Sequence, residues 1–193
     1  MSSEVLLCDE IATDKQVAIK IFKKSYLPGK TNRDDEIVAF VNEVTILETL
    51  EHKSIVKIYE YGYDGILSRD DNEAMTGLNY IIMEYIPHSL FDFCVTMGSM
   101  GEDAGRYFFN QMIDVVDYIH RQGVAHRDIK LENIGIDNDL KIKLLDFGLA
   151  SQRNIDHLTD SVGSPHYMAP EVHQNEAYRG QAADFFSVGV ILF

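Results

Sequence analysis

Two charged residues in the first part of the chain could act together as an ion pair. Lys20 ends the apolar string Val17–Lys20, and a lysine on an apolar strand is most often a surface residue whose charged end reaches water. Glu43 lies within a helical stripe that is otherwise apolar. A charge on a buried face needs a partner, and Lys20 is a candidate partner for Glu43.

Two groups of polar residues further along the chain could form one chemical site. The string His126–Asn133 places Asp128, Lys130 and Asn133 two and three residues apart, which a charged surface turn explains less well than a site does. Asp146 follows a strand-like piece, and the residues between it and Asp128 are enough for a hairpin that brings the two back together. Asn133 and Asp146 offer the hard oxygen ligands that Mg²⁺ takes beside nucleotide phosphates.

Hydrophobic patterning in the first part of the chain predicts four short strands and one helix. The predicted strands are Val5–Cys8, Gln16–Phe22, Ile55–Tyr61 and Leu78–Tyr85. The helix is predicted over Asp35–Leu50, with a stripe made of Phe40, Glu43, Leu47 and Leu50. The polar stretch Asp64–Gly77 is predicted to be a loop.

The second part of the chain is predicted to be mainly helical, with a boundary near Ile86–His88. Ser89, with Asp92 three residues on, indicates one helix start. Longer helices are predicted over Glu102–Gln122, with the stripe Phe108, Met112, Val115 and Ile119, and over Ala182–Phe193. Between them lie two strand-like pieces, Ile134–Ile136 and Lys141–Leu145, and a segment of little periodicity from Ala150 to Tyr167.

Composition indicates a globular chain and disfavours two classes of partner. The 193 residues include 17 Lys and Arg against 31 Asp and Glu, which gives a net charge of −14. Contacts with nucleic acid or anionic lipid require clustered basic residues, so neither partner is expected. Cys8 and Cys94 have neither a metal-site spacing nor a disulfide framework, and the sequence contains no apolar run that could span a bilayer. We therefore expect a cytoplasmic or nuclear protein.

Four ordered strings resemble the signature of the eukaryotic protein kinase family. They are Val17–Lys20 (VAIK), His126–Asn133 (HRDIKLEN), Asp146–Gly148 (DFG) and Ala169–Glu171 (APE), followed by Asp184–Gly189, in which Phe186 stands where the family usually has Trp. The resemblance implies a bilobal α+β fold over residues 1–193. Residues 1–86 would form a small antiparallel sheet plus one helix, and residues 87–193 an incomplete, mainly helical lobe.

The resemblance also implies a role for each matching residue in ATP- and Mg²⁺-dependent phosphorylation of protein substrates. Asp128 would orient the substrate hydroxyl and accept its proton, Lys130 would neutralise the γ-phosphoryl group, and Asn133 and Asp146 would hold Mg²⁺. At the nucleotide, the resemblance implies that Lys20 binds phosphate and is held by Glu43. Val5 and Ala18 would lie beside adenine, Met83 would be the gatekeeper, and Glu84-Tyr85-Ile86 would form the hinge.

Lys130 and the sequence Gly163–Tyr167, which precedes Glu171, resemble those of serine/threonine kinases. The resemblance is closest to the calmodulin-dependent and AMP-activated branch. In that branch the activating phosphothreonine precedes the position of Ser164 by four residues, which here is Asp160. We expect Arg127 to pair with the Asp160 carboxylate and to order the activation segment in part without phosphorylation. The alternative is that Asp160 is a solvated loop residue and that Thr159 or Ser161 takes a phosphate.

The sequence departs from the family pattern at both ends and at two internal positions. Ser3 stands where the family's glycine-rich loop has its third glycine, and the chain stops within the last helix. We therefore expect truncation at both ends and partly uncovered apolar helix faces. Gly135 stands where the family usually has a bulky residue beneath adenine, and Ser89 lies near a position that is acidic in many kinases preferring basic substrates. A kinase-like binding module or an inactive fragment is the alternative function.

Overall fold

The computed structural model of the chain describes residues 3–22, 33–69, 72–98, 100–174 and 176–192. It divides the chain into two compact units, Met1–Glu48 with Lys57–Tyr85, and Thr49–Val56 with Ile86–Phe193. Among the described residues, no helix has both the length and the apolar character that crossing a membrane requires.

The first unit is a four-stranded antiparallel sheet with one helix. The sheet has the order β1-β2-β4-β3, built from β1 (Ser3–Glu10), β2 (Lys15–Phe22), β3 (Ile58–Arg69) and β4 (Asn72–Glu84). Helix α1 spans Arg33–Thr49, and its predicted stripe is confirmed because Phe40, Glu43, Leu47 and Leu50 are all buried. Phe40 contacts the rings of Phe22, Tyr61 and Tyr63 edge to face, which fixes the helix on that face of the sheet.

The predicted loop over Asp64–Gly77 is wrong. Strand β3 continues to Arg69 and β4 begins at Asn72, so most of this stretch is a β-ribbon. Both faces of such a ribbon can lie in water, which leaves no alternation of apolar and polar residues to read. The predicted strand Ile55–Tyr61 also begins too early, because β3 starts at Ile58. Ile55 belongs to the second unit, where it forms an isolated bridge with Leu144.

The second unit joins a small sheet to helices. Its sheet has the order β5-β6-β7, made of β5 (His88–Ser89), β6 (Ile134–Ile136) and β7 (Ile142–Leu144). Its helices are α2 (Leu90–Met97), α3 (Glu102–Arg121), α4 (Pro170–His173) and α5 (Gly180–Leu192), with a 3₁₀ turn at Leu131–Asn133. The stripe predicted for α3 is buried as expected.

One helix start confirms a local sequence signal, and one short helix escaped prediction. The Ser89 side chain caps α2 by accepting from Asp92 N–H, and the Asp92 carboxylate accepts from the Ser89 backbone in return. Phe185 and Phe186 of α5 are 40% and 42% exposed, and Phe193 lies outside the described residues. The four-residue α4 was missed because one turn is too short to establish a period.

Candidate active site

Lys20 and Glu43 form a buried ion pair within the first unit. Lys20 Nζ lies 2.7 Å from Glu43 Oε1 and 2.8 Å from Oε2, and the two residues are only 5% and 1% exposed. A lone charge at this depth is costly, so each group stabilises the charged form of the other. The pair holds the Lys20 ammonium at a fixed point on β2.

Three further residues predicted at the nucleotide share the sheet face of Lys20. Val5 pairs with Lys20 across β1 and β2, and Ala18 pairs with Met83 across β2 and β4. Directly paired residues point to the same face, and alternate residues of one strand do so too. The result is an apolar strip next to a fixed ammonium group, in which Ala18 and Met83 are buried and Val5 is exposed.

The two hinge residues predicted at the nucleotide have other surroundings. Glu84 pairs with Val17 and therefore points to the opposite face, where its carboxylate accepts from Lys57 N–H at 2.6 Å. Ile86 belongs to the second unit, and its Cγ2 lies 2.6 Å from the place where a Cβ on Gly135 would be. The space that the glycine leaves is therefore filled by the Ile86 side chain.

Asp128 is the centre of a hydrogen-bond network in the second unit. Its Oδ1 accepts from Ser164 Oγ at 2.7 Å, and its Oδ2 accepts from Lys130 Nζ at 2.8 Å and Asn133 Nδ2 at 2.9 Å. Lys130 Nζ also donates to Ser164 Oγ at 2.8 Å. These charge-assisted bonds hold the carboxylate in one orientation, and the Asp128 side chain keeps 10% of its surface accessible.

Asn133 and Asp146 are positioned by the pairing of β6 with β7. Asn133 directly precedes β6. Its backbone carbonyl accepts at 2.9 Å from the N–H of Leu145, the residue before Asp146. The Asn133 amide nitrogen donates to Asp128, so its oxygen is the atom suited to a metal. The described residues contain no cluster of three or more His, Cys, Asp or Glu that could hold a metal ion. One amide and one carboxylate fit Mg²⁺, which takes few protein ligands and completes its shell with phosphates and water.

Arg127 joins the loop His126–Asn133, called the catalytic loop below, to the segment after Gly148. Its Nε donates to Leu149 O at 2.7 Å, and its Nη1 lies 3.2 Å from Asp160 Oδ2. The predicted contact between Arg127 and Asp160 is therefore present, while Thr159 and Ser161 on either side are exposed.

Tyr178 supports the same segment from the other side. Its hydroxyl donates to the Asp160 carbonyl at 2.9 Å, and its backbone exchanges two hydrogen bonds with that of Leu158. Burial raises the pKa of the Tyr178 phenol, and the Arg127 guanidinium opposes that rise. The phenol thus remains a hydrogen-bond donor at neutral pH.

Gly163 lets the segment reach the catalytic loop. A Cβ there would lie 2.6 Å from the Arg127 carbonyl oxygen, and its φ of +121° is one that other residues rarely adopt. The next residue, Ser164, is the one that contacts Asp128. Glu171 lies in the first turn of α4, where its carbonyl accepts from Glu176 N–H.

The family model for the protein kinase domain matches residues 1–193. The chain belongs to the protein kinase domain family. It is 35% identical to the maternal embryonic leucine zipper kinase of Xenopus tropicalis, over 99% of this chain and 27% of that protein. It is 36% identical to the carbon catabolite-derepressing protein kinase of Candida tropicalis, over 98% of this chain and 28% of that protein. It is 36% identical to CBL-interacting serine/threonine-protein kinase 8 of Arabidopsis thaliana, over 99% of this chain and 40% of that protein. The chain therefore spans less than half the length of each of these relatives.

One residue that organises this kinase domain was not predicted as part of its site. Asp184 of α5 is 1% exposed, and it accepts from the backbone N–H groups of His126 and Arg127 at 2.8 Å each. His120 Nε2 lies 2.8 Å from the same carboxylate. Arg127 has a φ of +66°, a strained value for its type, which these bonds help to maintain. The signals in the sequence were the match of Asp184–Gly189 to the family pattern and a lone acid in an apolar helical run.

Proposed function

We propose that this chain is the catalytic domain of an ATP-dependent protein serine/threonine kinase. It would transfer the γ-phosphoryl group of ATP to Ser and Thr hydroxyls of protein substrates. The observation that carries the proposal is the carboxylate of Asp128, held by Ser164, Lys130 and Asn133 with part of its surface accessible.

Asp128 would act on the substrate hydroxyl. A carboxylate fixed by three donors can accept one further hydrogen bond, so it would orient the attacking oxygen. It would take the hydroxyl proton as the new P–O bond forms and the bond from the γ-phosphorus to the leaving ADP breaks. Lys130 would place its positive charge by the transferred group, since its Nζ lies between Asp128 and Ser164. Phosphoryl transfer requires mainly this positioning and charge neutralisation from the protein.

The nucleotide-binding roles follow the residues that the family assigns. Lys20, fixed by Glu43, would bind the α- and β-phosphates, and Val5, Ala18 and Met83 would contact adenine. Asn133 and Asp146 would hold Mg²⁺, and a metal bound there would supply positive charge to the phosphate oxygens. The backbone of the hinge Glu84-Tyr85-Ile86 would pair with the adenine edge.

The proposal is tested by supplying the full chain with Mg²⁺, ATP labelled in its γ-phosphate and a basic test protein. We expect label on Ser or Thr and not on Tyr, and loss of transfer in Asp128→Asn. The exposed Asp117 of α3 gives the matched control, and Asp117→Asn should keep the parent rate. Equal transfer by Asp128→Asn and the parent would sink the assignment of Asp128. Absence of transfer by the parent itself would favour the alternative, a binding module without catalysis.

Two finer features of the proposal concern substrates and location. The net charge of −14 favours substrates with basic residues near the phosphorylated position. Two free cysteines, Cys8 and Cys94, suit a cytoplasmic or nuclear protein.

We further propose that Asp160 partly replaces activation-segment phosphorylation. A phosphate in this segment orders it by pairing with the arginine beside the catalytic aspartate. Asp160 already lies 3.2 Å from Arg127, and its carbonyl accepts from Tyr178. A single carboxylate is a weaker partner than a phosphate, so the expected outcome is a basal activity that phosphorylation of Thr159 or Ser161 could raise.

A further inference from the structure

The face of the four-stranded sheet opposite to α1 carries an apolar groove of about 310 Å³ that the phosphotransfer site does not use. It lies wholly within the first unit. Aliphatic side chains from adjacent strands form its floor, and the β3–β4 ribbon contributes one wall. Its lining includes Leu6, Cys8, Ile19, Ile82, Tyr80 and Ile66.

The groove has a shape that the sequence specifies. Tyr80 lies across two glycines of β3, because a Cβ on Gly62 would be 2.6 Å from the Tyr80 hydroxyl oxygen and one on Gly65 would be 2.7 Å from its Cδ1. Larger residues at either position would displace the ring, so the glycines allow it to lie close against the backbone. Ile66, which lines the same groove as this ring, is 71% exposed.

Acidic residues border the apolar floor. Glu10 lies on the same face of β1 as Leu6 and Cys8 by strand alternation, and Glu60 pairs directly with Ile82. Glu84, two residues after Ile82, also points to this face. The pKa of Tyr59 is raised by burial and then by Glu84 and Glu10, which places negative potential at this end of the groove. Lys15, opposite Glu10, is a basic residue on the same face.

We propose that this groove binds an amphipathic helix of a partner protein, with aliphatic anchors on one face and Lys or Arg on its flanks. The apolar floor accepts the anchors in the manner of other helix-in-groove contacts. The acidic border pairs with the basic flanks, and such complementarity steers association and sets the register. The same border and the net charge of −14 repel anionic lipid, nucleic acid and a second copy of this chain.

The test measures binding of fluorescent synthetic helices of about 18 residues, a length sufficient for helix formation, to the full chain by anisotropy. The Leu/Lys helix carries a leucine face and lysine flanks. A Leu/Glu helix keeps the leucine face, and a Gln/Lys helix keeps the charge. The groove variants are Ile66→Ser and the charge reversal Glu10→Lys with Glu60→Lys. Their matched controls lie in the other unit. They are Val95→Ser, at a residue that is 69% exposed, and the double charge reversal Asp103→Lys with Asp139→Lys at two exposed positions.

We expect saturable binding of the Leu/Lys helix, weakened about tenfold or more by each groove variant and by neither control. The Leu/Glu and Gln/Lys helices should each bind about tenfold more weakly. Equal binding of the Gln/Lys helix would mean attraction to net charge alone and would overturn the proposal, and equal binding of the Leu/Glu helix would overturn the charge argument. Failure of the Leu/Lys helix to bind, or full binding by the groove variants, would overturn it as well. Phosphotransfer is not read in this assay, so its outcome is independent of the proposed kinase activity.

Discussion

Replacing Asp160 with Asn should lower the activity of the unphosphorylated protein while leaving its fold intact. The change keeps the size of the side chain and the carbonyl that accepts from Tyr178, and it removes only the negative charge facing Arg127. That charge is 3.2 Å from the guanidinium, with Asp160 67% exposed and Arg127 12% exposed.

The size of the effect follows from that exposure. An ion pair with one solvated member contributes about 0.5–1 kcal/mol, which changes the ratio of ordered to disordered segment by about two- to fivefold. The basal rate should therefore fall by up to that factor, and the difference should shrink at high salt, where exposed charges are screened. Asp156, whose carboxylate lies 3.5 Å from Arg179 with both side chains exposed, provides the matched control, and Asp156→Asn should leave the rate unchanged.

The assay uses the full chain made in a host without kinases and treated with phosphatase, with Thr159→Ala and Ser161→Ala in every variant so that neither position can carry phosphate. The parent should then retain a basal rate that Asp160→Asn reduces. The reasoning is refuted if phosphatase-treated protein with Thr159 and Ser161 intact is inactive until one of them is phosphorylated. It is also refuted if Asp160→Asn leaves the basal rate unchanged.

Three further predictions concern contacts within single units. Glu43→Leu, which leaves Lys20 buried without its partner, should lower the free energy of unfolding by about 3–5 kcal/mol in urea titrations, while adding Lys20→Met should restore stability without activity; unchanged stability of the single variant would contradict the buried pair. Gly163→Ala should lower kcat by about tenfold or more, whereas Gly105→Ala, with nothing within 4 Å of the added Cβ, should match the parent; equal rates for both would contradict the close approach. Ser164→Ala should lower kcat without changing the KM for ATP, and Ser164→Thr should retain the parent kcat; full kcat in Ser164→Ala would remove that hydroxyl from the account.

Elements with local signals could be predicted from the sequence. The stripe of α3 repeats over about three turns, from Phe108 to Ile119, and Ser89 with Asp92 forms the reciprocal cap that their spacing indicates. The polar β3–β4 ribbon could not be predicted, because its stability comes from strand pairing rather than from a buried face. The segment from Ala150 to Tyr167 has no period either, since distant partners hold it, including the bridge of Ala125 with Ser151.

The candidate site could be predicted only in part from residue types. A charge within an apolar helical stripe indicated that Glu43 could pair with Lys20, and oxygen chemistry indicated that Asn133 could bind a metal. Family resemblance supplied the role of Asp128. The contacts of Asp184 with the catalytic loop span 57 and 58 positions, and no local pattern in a sequence encodes a contact at that separation.

The most direct test of the central claim is the rate of a single turnover at saturating ATP and Mg²⁺, measured for the parent and for Asp128→Asn together with the Kd for ATP. If Asp128 accepts the substrate proton, the rate should fall by about 10²–10⁴-fold, while the Kd for ATP stays within about twofold of the parent value. An unchanged single-turnover rate in Asp128→Asn, with ATP bound as tightly as before, would contradict the account.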